Sequence, residues 1–369
     1  MRHILLFFGL ILTVVFTHAQ IVIKGRVLAD GSDAPVINAS VYLNNTSIGT
    51  ITNKNGEFTL NAGSIYTGER GISSVGFQPL FYKLNTGDAT NKFYTFKLEI
   101  KERTLRNIAV MNDATRQSWL KIFKENFLGI TEEADNCKIE NLDAVYFAVG
   151  DDKGTMYAYA DTPLIIKNKL LGYKISFDLI EFSYNKTNSA TYYAGYNRYD
   201  ELGDKKRWIK RRRQNYFGST VHFYRSLIAN KLTEEGYSMF EVKKLLKDTG
   251  SVKNKKSITI NSHDLSVAIP LLPGKLLFTD TTSGNYYLQS ENQVMVRYNK
   301  SPHLRFNPSS NWFIQGLQHP GFQSFIILLA DKVALDKNGI LFNPLEVLYN
   351  GFWVYEKFAN QLPFDYVPN

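Results

Sequence analysis

The chain reads as mainly β, a small β-sandwich followed by a larger strand-rich α+β domain. Three observations predict this. Short segments that alternate apolar and polar residues, divided by turn signals, recur from Ile21 to Ile100. From about Asn112 onward, strand patterns dominate and two charged helical patterns interrupt them. The sequence has 369 residues, and once a leader is set aside the remainder is too long for one ordinary core.

The leader is residues 1–19. Met1, Arg2 and His3 make a short basic start, Ile4 to Phe16 is an apolar run of 13 residues, and Thr17-His18-Ala19 supplies the small-residue pattern cut by a signal peptidase. The run is well short of the roughly 20 residues that span a bilayer as a helix. The mature chain is expected to start at Gln20, with no cysteine at the cut to carry a lipid. Export to the periplasm, the outer membrane or the cell surface is therefore expected. The formal charge is +9, with 22 Tyr and 25 Phe. Such an aromatic chain is globular. Its basic balance favours anionic envelope polymers or lipid headgroups, and export argues against nucleic acid. The single Cys137 cannot form an internal disulfide. It reads as a partly buried thiol, with pairing to another chain as the alternative.

The first domain is expected over 20–100. Ile21, Ile23 and Val27 open it, and Asp30-Gly31 turns the chain. Ala39 to Leu43 and Gly49 to Thr52 are the second and third strands. Asn55-Gly56 is a hairpin signal, because glycine tolerates the positive φ of such turns. Glu57-Phe58-Thr59-Leu60 then alternates, and Gly71 to Phe77 and Tyr94 to Leu98 complete the set. The run Gly25-x-Val27, Pro35, Ala39-x-Val41, Gly49-Thr50-x-Thr52, Asn55-Gly56-x-Phe58-x-Leu60 and Val75-Gly76-Phe77 resembles the carboxypeptidase regulatory-like domain. The resemblance implies a transthyretin-like sandwich, common in exported Bacteroidetes proteins and often placed ahead of an outer-membrane receptor. It implies no catalytic residues in this domain. Asn53 stands where the family often has an acidic residue, which argues against a calcium-like site there.

Residues 101–114 read as a last strand and linker, and 115–369 as the α+β domain. Thr115 or Ser118 is expected to cap a helix carrying Trp119, Ile122, Phe123 and Phe127. Strands are expected at Leu142 to Val149, Thr155 to Ala160 and Leu164 to Ile166, and then along the alternation of Leu171, Tyr173, Ile175, Phe177 and Leu179. Thr191 to Tyr199 follows in the same manner. A second helix is expected after Gly218-Ser219, ending at Glu234-Glu235-Gly236. Further strands are expected near Tyr237 to Val242, Ser257 to Ile260, Lys275 to Phe278, Tyr286 to Leu288, Gln293 to Arg297, Phe322 to Leu328 and Asp331 to Leu335. A short closing helix is expected from Gly351 to Gln361. An outer-membrane barrel is disfavoured by the irregular strand lengths and the charged helices. Four stretches are similar to a Bacteroidetes family of exported proteins carrying the same first domain: Tyr159-x-Asp161-x-Pro163-Leu164, Asn168-x-x-Leu171-Gly172-Tyr173, Tyr216-x-Gly218-Ser219-x-x-His222-Phe223-x-Arg225, and Leu362-Pro363-x-Asp365-Tyr366-x-Pro368. That resemblance implies membership and no mechanism.

Motifs that carry chemistry are absent from the sequence. His222, His263, His303 and His319 show no i,i+4 pairing with an adjacent glutamate, and there is no nucleophile elbow or phosphate-binding loop. No cofactor and no metal is expected. The candidate site is Ser219, His222 and Arg225: a helix cap with a histidine and an arginine on one face, able to grip an acidic group. The alternative is structural, with Ser219 capping, His222 packed and Arg225 in an ion pair. The second candidate is a basic surface of Lys205, Lys206, Arg207, Lys210, Arg211, Arg212 and Arg213, seven basic residues in nine. It suits an anionic membrane surface, or else a solvated face. Three functions stand: a non-enzymatic envelope binding, adaptor or scaffold protein with a protein or glycan partner; an accessory subunit of an outer-membrane transport or secretion complex; and a hydrolase assembled from dispersed residues such as His222, Asp161 and Asp365.

Overall fold

The computed structural model describes residues 21–63, 69–83, 92–101, 112–150, 152, 154–244, 266–280, 285–300 and 322–368. The leader, residues 102–111 of the linker, the strand expected at Ser257 to Ile260, and His263, His303 and His319 lie outside them. The chain forms two compact units, Met1–Asn44 with Ile48–Arg103, and Asn45–Ser47 with Thr104–Asn369. The architecture is mostly β, and the N-terminal unit is a transthyretin-like sandwich.

In the first unit, β1 (Ile21–Ala29), β4 (Glu57–Gly63) and β7 (Phe93–Leu98) form one sheet in the order β4-β1-β7. The other sheet is β3-β2-β5-β6, built from β2 (Ser40–Leu43), β3 (Gly49–Ile51), β5 (Glu69–Ser73) and β6 (Leu80–Lys83). The expected period of two fills the core: Ile23 and Val27 from β1 meet Phe58 and Leu60 from β4, and Val41, Leu43 and Ile72 from the other sheet. Asn55-Gly56 does turn the chain, with Gly56 at φ +72°. It is not a hairpin, however. β3 pairs with β2, while β4 pairs with β1, so the turn carries the chain from one sheet to the other. Asn53 organises it, its side-chain oxygen accepting from the Asn55 and Glu57 amides at 2.9 Å each.

The second unit opens with α1 (Asp113–Phe127). Asn112, and neither Thr115 nor Ser118, is its N-cap, accepting from the Thr115 amide at 2.8 Å. A short α2 (Glu132–Asp135) follows, capped by Thr131. Then come β8 (Cys137–Ile139), β9 (Val145–Val149), β10 (Thr155–Ala160), β11 (Leu164–Asn168), β12 (Tyr173–Asn185) and β13 (Thr191–Glu201). They make one sheet, β8-β11-β12-β10-β9, with β13 on the long β12. Residues 142–144 turn as a 3-10 helix before β9, so the strand begins three residues later than its apolar run suggests. Leu171, Tyr173, Ile175, Phe177 and Leu179 are all buried, and α1 packs Trp119, Phe123 and Phe127 into the same core.

Three helices follow, α3 (Lys206–Tyr216), α4 (Thr220–Ile228) and α5 (Leu232–Glu235), the last two where a single helix was expected after Gly218. Gly236 closes α5 at φ +90°. The next sheet is β15-β14-β18-β19-β21, from β14 (Tyr237–Lys244), β15 (Ser266–Pro270), β18 (Gln293–Tyr298), β19 (Phe322–Leu328) and β21 (Val347–Gly351). After a turn of helix, α6 (Pro273–Leu276), β16 (Leu277–Thr279) pairs with β17 (Tyr286–Leu288), which pairs in turn with β20 (Val333–Leu335). This half has its own core around Phe223, Leu227, Val296, Ile326 and Trp353. The expected closing helix is instead the end of β21 and two 3-10 turns, Phe352–Tyr355 and Phe358–Asn360. The aromatic side chains there serve different neighbours: Trp353 joins the second core and Phe358 the first. Among the described residues, no helix is long and apolar enough to cross a membrane.

Candidate functional site: a cleft between the basic helix and the C-terminal tail

The basic segment folds as α3 because one side of it is needed inside. Trp208, Arg212, Asn215 and Tyr216 are its buried residues. The Trp208 indole donates to the Lys169 carbonyl at 2.9 Å. Its ring lies on Gly172, where a Cβ would sit 2.2 Å from Cδ2 and where φ is +70°. Only glycine fits both conditions. Arg212 donates to the Leu171 and Gly172 carbonyls at 2.7 and 3.0 Å, pairs with Glu201 at 3.1 Å and stacks 4.0 Å above the Tyr173 ring. The Asn168 to Tyr173 turn is thereby clasped from above. From inside, Asn168 accepts from the Leu171 amide and donates to the Ala359 carbonyl, both at 2.9 Å.

Arg211 points to a different buried site. It pairs with Glu132 and, at 2.7 Å, with Glu133, whose carboxylate is fully buried. Asn215 and Asn360 also donate to that carboxylate, at 3.0 and 3.1 Å. The basic run is therefore split. Arg211 and Arg212 are internal ties, while Lys205, Lys206, Arg207, Lys210 and Arg213 stay exposed. Cys137 lies near this network, and burial, with the Glu133 charge behind it, pushes its thiol up to about 12.

Ser219 caps α4, its oxygen accepting from the His222 amide at 3.2 Å while its hydroxyl donates to the Tyr216 carbonyl at 2.7 Å. His222 is buried, with Nδ1 accepting from the Gly218 amide at 3.0 Å and lying 2.9 Å from the Tyr237 hydroxyl. The Gly218 bond makes Nδ1 the acceptor, so Nε2 carries the proton toward Glu235 at 3.2 Å. Tyr216, Phe217 and Tyr237 surround the ring at centroid distances of 5.0–5.2 Å. Arg225 spreads its fork over three carbonyls, Asn338 at 3.0 Å and Phe364 and Tyr366 at 2.8 Å each. His222 and Arg225 face different neighbours, although they stand three residues apart. Of the dispersed set, Asp161 accepts from the Tyr146 hydroxyl at 3.1 Å and Asp365 accepts from the Ser47 amide at 2.9 Å.

What the structure brings together are three of the stretches singled out in the sequence. The Asn168 to Tyr173 turn, α3 and the Leu362 to Pro368 tail surround a cleft of about 370 Å³. It is lined by Ser47, Tyr173, Glu201, Asp204, Ile209, Arg212, Pro363, Asp365, Tyr366 and Val367, all of the second unit. The floor includes the Tyr173 hydroxyl, which is buried and has no hydrogen-bond partner among the described residues. Buried polar atoms without partners are few in folded proteins, and each calls for water or a ligand atom. Burial raises the Tyr173 phenol, against the lowering pull of Arg212, so it stays a neutral donor. Burial likewise raises Tyr366. The cleft thus offers three carboxylates, three hydroxyls, one clamped guanidinium and an apolar wall. Among the described residues, no group of three or more His, Cys, Asp and Glu side chains is placed to hold a metal ion.

Most of this cleft was out of reach of sequence reasoning. Tyr173 sits in a perfect alternation and reads as core, and its ring is indeed core while its hydroxyl is not satisfied. Glu201 and Asp204 lie just before a conspicuous basic run that draws the eye instead. Asp365 was named in the sequence only as a member of the tail motif and of a dispersed hydrolase set, and Tyr366 only in the tail motif.

Residues 23–110 match the CarboxypepD_reg-like domain family. The match falls on the N-terminal region, in keeping with the transthyretin-like architecture described above. No curated protein matches the chain. Among solved structures, a 9R-lipoxygenase from Cyanothece PCC8801 is similar at 9% identity, with a TM-score of 0.17 over 57% of this chain and 48% of that one. The matched part spans about half of the lipoxygenase, and a likeness at that score carries no argument.

Proposed function

We propose that the chain is an exported envelope protein that binds a glycan, with the first unit as a platform and the cleft of the second unit as the receiving site. The observation that carries the reading is the buried, unpartnered Tyr173 hydroxyl on the floor of a cleft rimmed by carboxylates. Carboxylates accept from a ligand's hydroxyl or amide hydrogens, and charge-assisted bonds of this kind are the strong ones. The half-buried Tyr366 ring, with Ile209 and Pro363, gives an apolar surface for the C–H face of a sugar ring. The walls are pre-organised: Arg212 is held by two carbonyls and Glu201, and Arg225 pins the tail through its carbonyls. Pre-organisation lowers the entropic cost of binding. The leader-like residues 1–19 and the kind of first domain support an envelope setting.

The test is direct binding of the mature protein to envelope glycan fractions on an array, followed by titration calorimetry of any hit. Wild type should bind, and Asp365→Asn and Tyr366→Ala should each weaken binding about tenfold or more, as loss of one charged hydrogen bond or one ring contact costs about 1.5–3 kcal/mol. Binding that both substitutions leave unchanged would place the ligand elsewhere and end this reading.

A further inference from the structure

The exposed basic side chains of α3 do not line the cleft. We infer that they form a docking surface for an anionic lipid bilayer. Seven basic residues stand between Lys205 and Arg213, and the structure withdraws two of them: Arg211 to the buried Glu133 and Arg212 to the Asn168 to Tyr173 turn. The other five are exposed, and among the described residues none of them is ion-paired to a carboxylate. The helix itself contains no Asp or Glu. These five cations therefore stand at the cap and along one short helix that has no carboxylate of its own, with Lys205 and Arg207 over the Trp208 ring and Arg213 over the Phe217 ring. Trp208, Arg212, Asn215 and Tyr216 fix the helix to the body, so no ordering cost is left for the binding step.

Two exposed apolar side chains adjoin the basic run in sequence, Leu202 at 38% exposure just before it and Ile209, which also lines the cleft, at 39% within it. A soluble polyanion gains nothing from them. A bilayer does, because apolar groups at the headgroup boundary add to the attraction of anionic lipid for basic residues. This mixture of exposed cations and exposed aliphatic groups favours a lipid surface over an anionic polymer.

The experiment is sedimentation of the mature protein with vesicles of phosphatidylcholine, with and without phosphatidylglycerol, at low and physiological salt. The choice of variant matters. Alanine at Arg211, Arg212 and Arg213 together would break the two internal ties, so Lys206→Ala/Arg207→Ala/Lys210→Ala is used, with circular dichroism to show an unchanged fold. Wild type should bind only the vesicles with phosphatidylglycerol, and added salt should weaken it. Each basic residue near such a surface contributes about fivefold, so the triple variant should lose roughly a hundredfold in partition. Leu202→Ser, outside the cleft lining, should weaken vesicle binding further and leave binding to a soluble anionic polysaccharide unchanged. Equal binding of wild type and triple variant, or no binding by wild type, would overturn the inference. So would a Leu202→Ser protein that binds vesicles as wild type does, which would point to a polyanion instead of lipid.

Discussion

Replacing Arg211 by alanine tests how the basic helix is used. The guanidinium donates from Nε to Glu133 at 2.7 Å, and the Glu133 side chain has no exposed surface. Without Arg211 that carboxylate keeps only the amides of Asn215 and Asn360, at 3.0 and 3.1 Å. Removing one partner of a buried pair leaves an uncompensated charge, at a cost of about 3–5 kcal/mol. Arg213, two positions on, is exposed, and its replacement should stay within about 0.5 kcal/mol. Urea denaturation followed by tryptophan fluorescence measures both. The double variant Arg211→Ala/Glu133→Gln should recover part of the loss, since it removes the stranded charge, and the coupling should be about 1–3 kcal/mol. Arg211→Ala within about 1 kcal/mol of wild type, or no recovery in the double variant, would refute the reasoning.

Buried phenols set an alkaline limit. Burial is the leading cause that raises Tyr173, Tyr199, Tyr224 and Tyr237, so above the unfolded value near 10 the unfolded chain holds fewer protons than the native one, and stability is full below about pH 10 and falls as pH rises. Four such groups give a slope of about 5 kcal/mol per pH unit, and tyrosinate absorbance should appear together with loss of far-UV structure. Titration of these phenols in a protein that stays folded would contradict this. Gly172→Ala should destabilise by more than about 2 kcal/mol and shift Trp208 emission, because the new Cβ meets the indole at a positive φ; calorimetric melting reads the first and fluorescence the second. Arg225→Lys should free the tail, since an ammonium cannot span the Asn338, Phe364 and Tyr366 carbonyls together. Carboxypeptidase digestion of the native protein should then remove residues beyond Leu362 faster than in wild type.

The strand periodicities were legible because a half-buried strand has one dry face, and this is why Leu171 to Leu179 could be read directly. Boundaries set by hydrogen bonds were not. Asn112 rather than Thr115 caps α1 because its extended backbone lets its oxygen reach the Thr115 amide. Asn55-Gly56 looked like a hairpin because the dipeptide reports a positive φ, and the turn alone does not say which strands will pair. The charge of the basic run was plain, yet its division was hidden: nothing local distinguishes Arg211 and Arg212 from Arg213. That distinction comes from Glu133, 78 residues away in sequence, and from the Leu171 and Gly172 carbonyls. The cleft was illegible for the same reason. Its residues come from distant stretches, and the tail motif, the turn motif and the basic run marked those segments without showing that they meet.

The central claim is that the cleft of the second unit receives a ligand. Hydrogen exchange of the mature protein, with and without a glycan found to bind, tests it most directly. The account predicts protection at Tyr173, along Glu201 to Arg212 and at Phe364 to Val367, lost together with binding in Asp365→Asn. Protection confined to other segments would contradict it.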